Sequence, residues 1–404
     1  MSLDLKHATW INRERIERVA VIFLVFGIVA TIALIATSNG GLDVFGRPLG
    51  TDFSNVYSAG QMVLDGRDAA AYVPVEQEKV QQAFFNDLEV PFYAWHYPPF
   101  FLILAAGLAF LPYTLSWLTW MAATLPLYFV AMRRIIDGRT AMLATIGFPA
   151  VAVNFLHGQN GFLTAALIGG AMISLRSRPF AAGILIALLA YKPQFGVLIP
   201  IALLAGGYYR TFAAAAVTLA GMCVIATLAF GNEIWIAFYE SRHFSQGFIL
   251  EAGSTGWQKI QSIFSAVRMW GGSVNQAYFV QGILALFLTV STIWIWRSKA
   301  DHDLKAASLI VGSLLITPYM LDYDMVALAP ALLFVTRYGL KVGFVPYERL
   351  LLAVIWMSPI LTRPANEYLF LPIGLVSMLA LFGLILHKAK RAVQQDKTPA
   401  GAAA

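Results

Sequence analysis

The residues with chemistry to offer fall in five short clusters, each set in apolar sequence. Asp52 stands with Ser54, Asn55 and Tyr57 in GTDFSNVY, soon after the first long apolar run. Trp95, His96 and Tyr97 open WHYPPF, and His157, Gln159 and Asn160 form HGQNG. Tyr191, Lys192 and Gln194 interrupt an apolar stretch as YKPQ. Tyr319, Asp322, Tyr323 and Asp324 lie in TPYMLDYDM. Carboxylates and imidazoles move protons, an ammonium binds anions, and amides and phenols hold hydroxyl groups.

Each cluster has a plainer reading beside the chemical one. A charge near the bilayer centre costs roughly 2.5–3.5 kcal/mol on insertion scales. Lys192 therefore either snorkels to an interface or binds an anionic headgroup, such as the phosphate of a lipid-linked donor. It precedes a proline, and irregular backbone at depth is tolerated only against protein or a wet cavity. Asp322 and Asp324, at i and i+2, do not share a helical face, and acids at a helix start favour its dipole. On spacing alone Asp52 is weak evidence, since an acid in an external loop is usually just solvated; His96 reads likewise as an interfacial belt residue, and HGQNG as a tight turn. No His-Glu-x-x-His or Cys-x-x-Cys spacing is present, so no metal site or cofactor is implied, although a divalent cation beside Asp52 stays open. There is no phosphate-binding Walker loop and no dinucleotide fingerprint. That argues against an ATP-driven pump and against a cytosolic nucleotide-sugar domain.

The elements that must position these residues are membrane helices. The chain has 404 residues, 59% hydrophobic and 12% charged, whereas soluble domains carry about 45–50% apolar and about 25% charged residues. Its 28 Phe, 16 Tyr and 10 Trp suit two membrane interfaces. The single cysteine, Cys223, lies in an apolar run and forms no intramolecular disulfide. The net charge of +6 is spread in short basic clusters between apolar runs, so no nucleic-acid surface is implied.

A basic lead over residues 1–18 precedes the apolar run 19–36, which is too long for a signal peptide and reads as a retained first span. Further runs predict an all-α polytopic protein of about twelve spans (range 10–13). Proline removes a backbone donor, so Pro112 should break the 99–132 run and Lys192–Pro193 the 180–207 run. Segment 38–97 holds eight acids and three bases. With cytoplasmic termini it becomes an external loop, as does 231–277. A single membrane domain then spans 19–388, with a short cytoplasmic tail over 389–404, polar and unstructured from 394.

The order of four stretches resembles bacterial glycosyltransferase family 87, over roughly residues 50–335. They are TDFSNVYSAGQMVLDGRDAAAY, YPPFFLILAAGLAFLP, GQNGFLTAALIGGAMISLRSRPFAAGILIALLAYKPQFG and ITPYMLDYDMVALAPAL. The family includes polyprenol-phosphate-mannose-dependent mannosyltransferases. The resemblance implies the C-type membrane glycosyltransferase fold in a bacterial inner membrane, with an active site on the periplasmic side. It also implies a polyprenyl-phosphate-linked sugar donor, a lipid or glycan acceptor, and an acid in the first external loop as general base, the place of Asp52. By the same resemblance Lys192, His96, Trp257 and Lys259 become candidates, in that order, for holding the donor phosphate. His157, Gln159 and Asn160, with Tyr97, become candidates for the sugar. Family members often carry Ser-Pro-x-Ser-Trp and a histidine where this chain has TPYMLDYD. The sugar and acceptor are therefore left unassigned, and Asp322, Tyr323 and Asp324 stand as donor-binding candidates.

Two other classes compete with an enzyme. A transporter or flippase of a lipid-linked saccharide accounts for Lys192 and the broken helices. A non-catalytic assembly factor predicts no clustering of acid, lysine and amide on one side. The enzyme reading expects Asp52, His96, Lys192 and Asp322 around one outward-facing cavity.

Overall fold

The computed structural model describes residues 4–85 and 90–397. Among them the chain forms 18 α-helices with short 3₁₀ and π turns, and no β-strand. Six helices are long and apolar enough to cross a bilayer: Arg13–Ala36, Tyr113–Ile135, Tyr209–Phe230, Val274–Arg297, Asp322–Val342 and Ile373–Gln395. Arg139–Ile146 and Pro149–Leu156, bent by 41° at their junction, make a seventh if they form one span. Ile22, Phe26 and Ile32 on the first helix and Val217 and Leu228 on Tyr209–Phe230 are exposed. Such faces belong in lipid.

Full-length helices are fewer than the expected twelve because several apolar runs are cut short. Pro112 separates Phe100–Ala109 from Tyr113–Ile135. At Lys192–Pro193 the Pro179–Leu188 helix gives way to two 3₁₀ turns before Leu198–Ala205 resumes. Both breaks fall where the missing proline N–H predicts them. The last helix, Ile373–Lys397, runs into the segment expected to be an unstructured tail, and residues 398–404 of that tail lie outside the described residues.

The innermost element is His302–Leu315, in which every residue from Asp303 to Leu315 except Lys305 is buried. It packs against Val274–Arg297, Leu328–Val342 and Ile373–Lys397. At its start Arg337 and Lys341 hold the buried Asp303 carboxylate, the lysine at 2.7 Å. Its far end leads straight into TPYMLDYD.

Segments 38–97 and 231–277, expected as loops, contain several helices where described. The first contains Phe53–Leu64 and Pro74–Phe84, and the second Glu233–Phe244, a π turn over Ser245–Glu251 and Ile263–Met269. They meet through Tyr72 against Phe238 and Phe92 against Phe244, at ring distances of 5.7 and 6.5 Å.

Two buried glutamines pin the irregular stretch that carries His96. Gln81 donates to the Tyr93 carbonyl at 2.6 Å and accepts the Tyr93 N–H at 3.2 Å. Gln77 accepts the Trp95 N–H at 2.8 Å. These side chains satisfy backbone groups that a neighbouring strand would otherwise satisfy.

The Phe53–Leu64 helix packs tightly on Phe100–Ala109 through Gly60. A Cβ there would lie 2.6 Å from the Ala105 carbonyl carbon, a backbone atom with no room to rotate away. Gly60→Ala should therefore destabilise the protein by about 1–3 kcal/mol, seen as a lower thermal unfolding midpoint in detergent. An unchanged midpoint contradicts the packing described.

Candidate active site

Asp52 sits where the chain turns into the Phe53–Leu64 helix. An aspartate at this place usually caps the helix by accepting its first N–H groups. Here the carboxylate makes no capping bond, and its side chain remains 20% exposed. The preceding Thr51 has φ of +25°, a left-handed backbone that costs a β-branched residue on the order of 1–3 kcal/mol. The strain turns Asp52 toward the HGQNG loop, whose His157 Nδ1 lies 3.4 Å from Asp52 Oδ2. Gly158 makes that approach possible. Its φ is +59°, and a Cβ would meet Phe53 Cβ at 2.7 Å and the Gly50 carbonyl oxygen at 2.8 Å.

Asp52 lines a cavity of about 850 Å³. His96, Tyr97, Gln159 and Lys192 share its wall. So do Tyr323, Asp324 and Lys259, together with Asn55, one turn along the helix from Asp52. The Asn55 side-chain carbonyl is buried without a hydrogen-bond partner. Such a group costs about 1–3 kcal/mol unless a ligand or water completes it.

Four candidates from sequence do not line this cavity. His157 stands behind Asp52. Asn160 is fully buried beneath, its backbone carbonyl accepting from the Tyr191 hydroxyl at 3.1 Å. Asp322 is turned to Arg363. Trp257 lies under the Arg268 guanidinium, 4.8 Å from it, with its indole N–H directed to the Leu250 carbonyl. Among the described residues, no three His, Cys, Asp or Glu side chains are grouped to hold a metal ion.

The Asp322–Ala327 turn is 3₁₀, so Asp322 and Asp324 diverge and each finds its own cation. Lys192 Nζ donates to Asp324 Oδ1 at 2.6 Å, and Asp324 Oδ2 accepts the Leu321 N–H at 3.2 Å. Arg363 Nε donates to Asp322 Oδ2 at 2.8 Å, while Asp322 Oδ1 accepts the Tyr323 N–H. The acids thus cap the turn, as acids at a helix start do, and anchor two other segments as well. Tyr323 lies between the pairs, its ring 5.4 Å from Lys192 Nζ and 5.7 Å from the His157 ring. Lys192 does not snorkel. It is 5% exposed and its charge is already matched.

Lys259 is a cation with capacity to spare, as is Arg242 on the same cavity, whose guanidinium meets the Tyr239 carbonyl and ring and no acid among the described residues. Lys259 lines the cavity, and its ammonium makes no ion pair or hydrogen bond among the described residues. Burial holds its pKa below the ordinary lysine value. Its loop is clamped from two sides. Gln261 N–H donates to the Met320 carbonyl at 2.6 Å, and Asn366 donates to the Gln258 carbonyl at 3.0 Å. His96 pairs through Nδ1 with the Ser245 hydroxyl at 2.7 Å, which leaves Nε2 for the cavity. Burial pushes the His96 imidazole down to about 4. Arg363 was missed in the sequence because it falls just past the apolar run 350–361. Its signal was an ionisable residue inside what proves to be the Glu348–Leu369 helix.

Removing one partner of a buried ion pair strands the other. Lys192→Met should cost about 3–5 kcal/mol, and adding Asp324→Leu should recover most of it. Equal unfolding midpoints for wild type and the single variant contradict this. His96 gives a pH signature. Its proton is taken up near 6.5 in the unfolded chain and near 4 in the folded one, so folding stability falls as pH drops from 6.5 toward 4. His96→Asn should flatten that part of the pH profile of thermal unfolding. A profile identical to wild type rules out a buried, proton-poor His96.

No curated protein and no solved structure matches the chain. The model of glycosyltransferase family 87 matches residues 95–318. The matched stretch contains His96, Tyr97, the HGQNG loop, Lys192 and Lys259, while Asp52 and the 322–324 turn flank it on either side. More than half of the chain fits that one family, with the greater part of the cavity's candidate residues inside the match, and the chain belongs to glycosyltransferase family 87.

Proposed function

We propose that this membrane glycosyltransferase transfers a mannose-like hexose from a polyprenyl-phosphate-linked donor to a hydroxyl of a lipid or glycan acceptor. In this reading the fold is of the C type with about twelve spans, the short apolar helices included. The termini are cytoplasmic, and the cavity opens on the outer side of a bacterial inner membrane. The observation that carries the reading is the pairing of functions across one cavity: a carboxylate excused from capping, Asp52, and an unmatched cation, Lys259.

In the reaction, the acceptor oxygen attacks the anomeric carbon as the bond to the phosphate oxygen breaks. The electron pair leaves with the polyprenyl phosphate, and the acceptor proton passes to Asp52. In-line attack inverts the anomeric centre. The leaving group is already a stabilised anion, so it asks for a cation rather than an acid. Lys259 supplies that charge, with His96 Nε2 as a second contact. Lys192 drops behind Lys259 as a phosphate ligand because Asp324 already occupies it. Asn55, Gln159 and Tyr97 offer amide and phenol groups to sugar hydroxyls.

The test is transfer by purified protein from labelled polyprenyl-phosphate sugars to candidate acceptors. Asp52→Asn should lower kcat by about 10²–10⁴-fold with an unchanged unfolding midpoint, and Lys259→Ala should lower kcat as well as raise the donor KM. Wild-type turnover by Asp52→Asn contradicts the base assignment.

A further inference from the structure

His157 stands between Asp52 and Arg363, and that position determines where its ring proton lies. A guanidinium has donors and no acceptor. Arg363 Nη2 lies 3.1 Å from His157 Nε2, so Nε2 presents its lone pair and the proton sits on Nδ1. Nδ1 is 2.8 Å from Thr51 Oγ1 and 3.4 Å from Asp52 Oδ2. The Nδ1–H therefore donates to Thr51 Oγ1. The Thr51 hydroxyl proton is then free for Asp52 Oδ2, 3.4 Å away. Arg363 is itself held by Asp322, through Nε at 2.8 Å and Nη2 at 2.6 Å. Asp52 Oδ1 has no partner among the described residues.

We propose that Asp322, Arg363, His157 and Thr51 form a positioning chain that fixes one histidine tautomer and thereby orients Asp52. Oδ2 is engaged from behind, and Oδ1 is presented to the acceptor hydroxyl in the cavity. The inference rests on the reading of Asp52 as general base. His157 touches neither sugar nor phosphate in this scheme. Its task is to supply an N–H at one ring position, and Arg363 ensures that the proton is there. The same chain gives Asp322 a role that capping alone does not require, since it holds the guanidinium that faces the imidazole.

The geometry separates two near-isosteric substitutions. His157→Asn keeps an N–H donor near the place of Nδ1, whereas His157→Gln moves the amide to the place of Nε2. His157→Gln and Arg363→Gln should lose on the order of 10- to 100-fold in kcat, the range for losing an orienting partner, with donor KM little changed. His157→Asn should stay within a few-fold of wild type. Nitrogen NMR of histidine-labelled protein should show His157 as the Nδ1–H tautomer in wild type and shifted toward Nε2–H in Arg363→Gln. That measurement needs no turnover, and the wild-type tautomer is read from the folded protein alone. Asp52→Asn is assayed alongside. If it retains wild-type kcat, the base assignment fails and this inference with it. If it is inactive while His157→Asn and His157→Gln are equally active, this inference alone fails. An Nε2–H His157 in wild type overturns it as well.

Discussion

The ion pair between Lys192 and Asp324 is the constraint on which the rest of the site depends. It joins positions 132 residues apart, at 2.6 Å, with both side chains nearly sealed from solvent. Such a pair gives little net stability, because desolvating two charges offsets most of their attraction, but losing one partner is severe. The pair therefore acts mainly as a registry device. It ties the broken helix at Pro193 to the 3₁₀ turn at 322–324. The Arg363–Asp322 pair does the same for the Glu348–Leu369 helix. Between them the turn is clamped in a single orientation, and Tyr323 is held against both Lys192 and His157.

From that clamp follows a division of labour among the cations. Lys192 and Arg363 are matched by aspartates and hold the scaffold. Lys259 is unmatched and faces the cavity, where a low dielectric strengthens its pull on an anion. Its loop is fastened to the 317–321 stretch and to Asn366, one turn beyond Arg363 on the same helix. The clamp therefore also sets the distance between Lys259 and Asp52. A strained Thr51 and a glycine at 158 complete the other wall. Strain of this kind persists only where the surroundings over-determine it.

Much of the architecture was legible in the sequence because it rests on local rules. Proline cannot donate, so the breaks at Pro112 and Pro193 were readable, and the all-helical membrane class followed from composition. The polar clusters were readable as a group, and eight of the twelve candidates line one cavity. What was hidden depends on pairing over long separations. Nothing near Lys192 indicates that Asp324 matches its charge, so Lys192 ranked above Lys259 as an anion ligand, an order the proposed function reverses. Arg363 escaped notice because the apolar run ends just before it. Trp257, a candidate for the donor phosphate, packs against Arg268 and lies outside the cavity lining, a pairing its neighbours in sequence do not mark. The helices inside 38–97 and 231–277 were read as loops because their polar faces mask the apolar period. Buried glutamines such as Gln77 and Gln81 carry no sequence mark of burial.

In the proposed reaction Asp52 and Lys259 act on one donor from opposite ends of its scissile bond. The most direct measurement is a structure with a non-transferable polyprenyl-phosphate-sugar analogue bound. The proposed reaction requires the phosphate within hydrogen-bond reach of Lys259 Nζ, about 2.7–3.2 Å. It predicts the sugar inside the cavity beside Asn55, with the face of the anomeric carbon opposite the phosphate turned toward Asp52. A phosphate seated on Lys192 with its aspartate displaced, or a sugar whose leaving-group side faces Asp52, contradicts it.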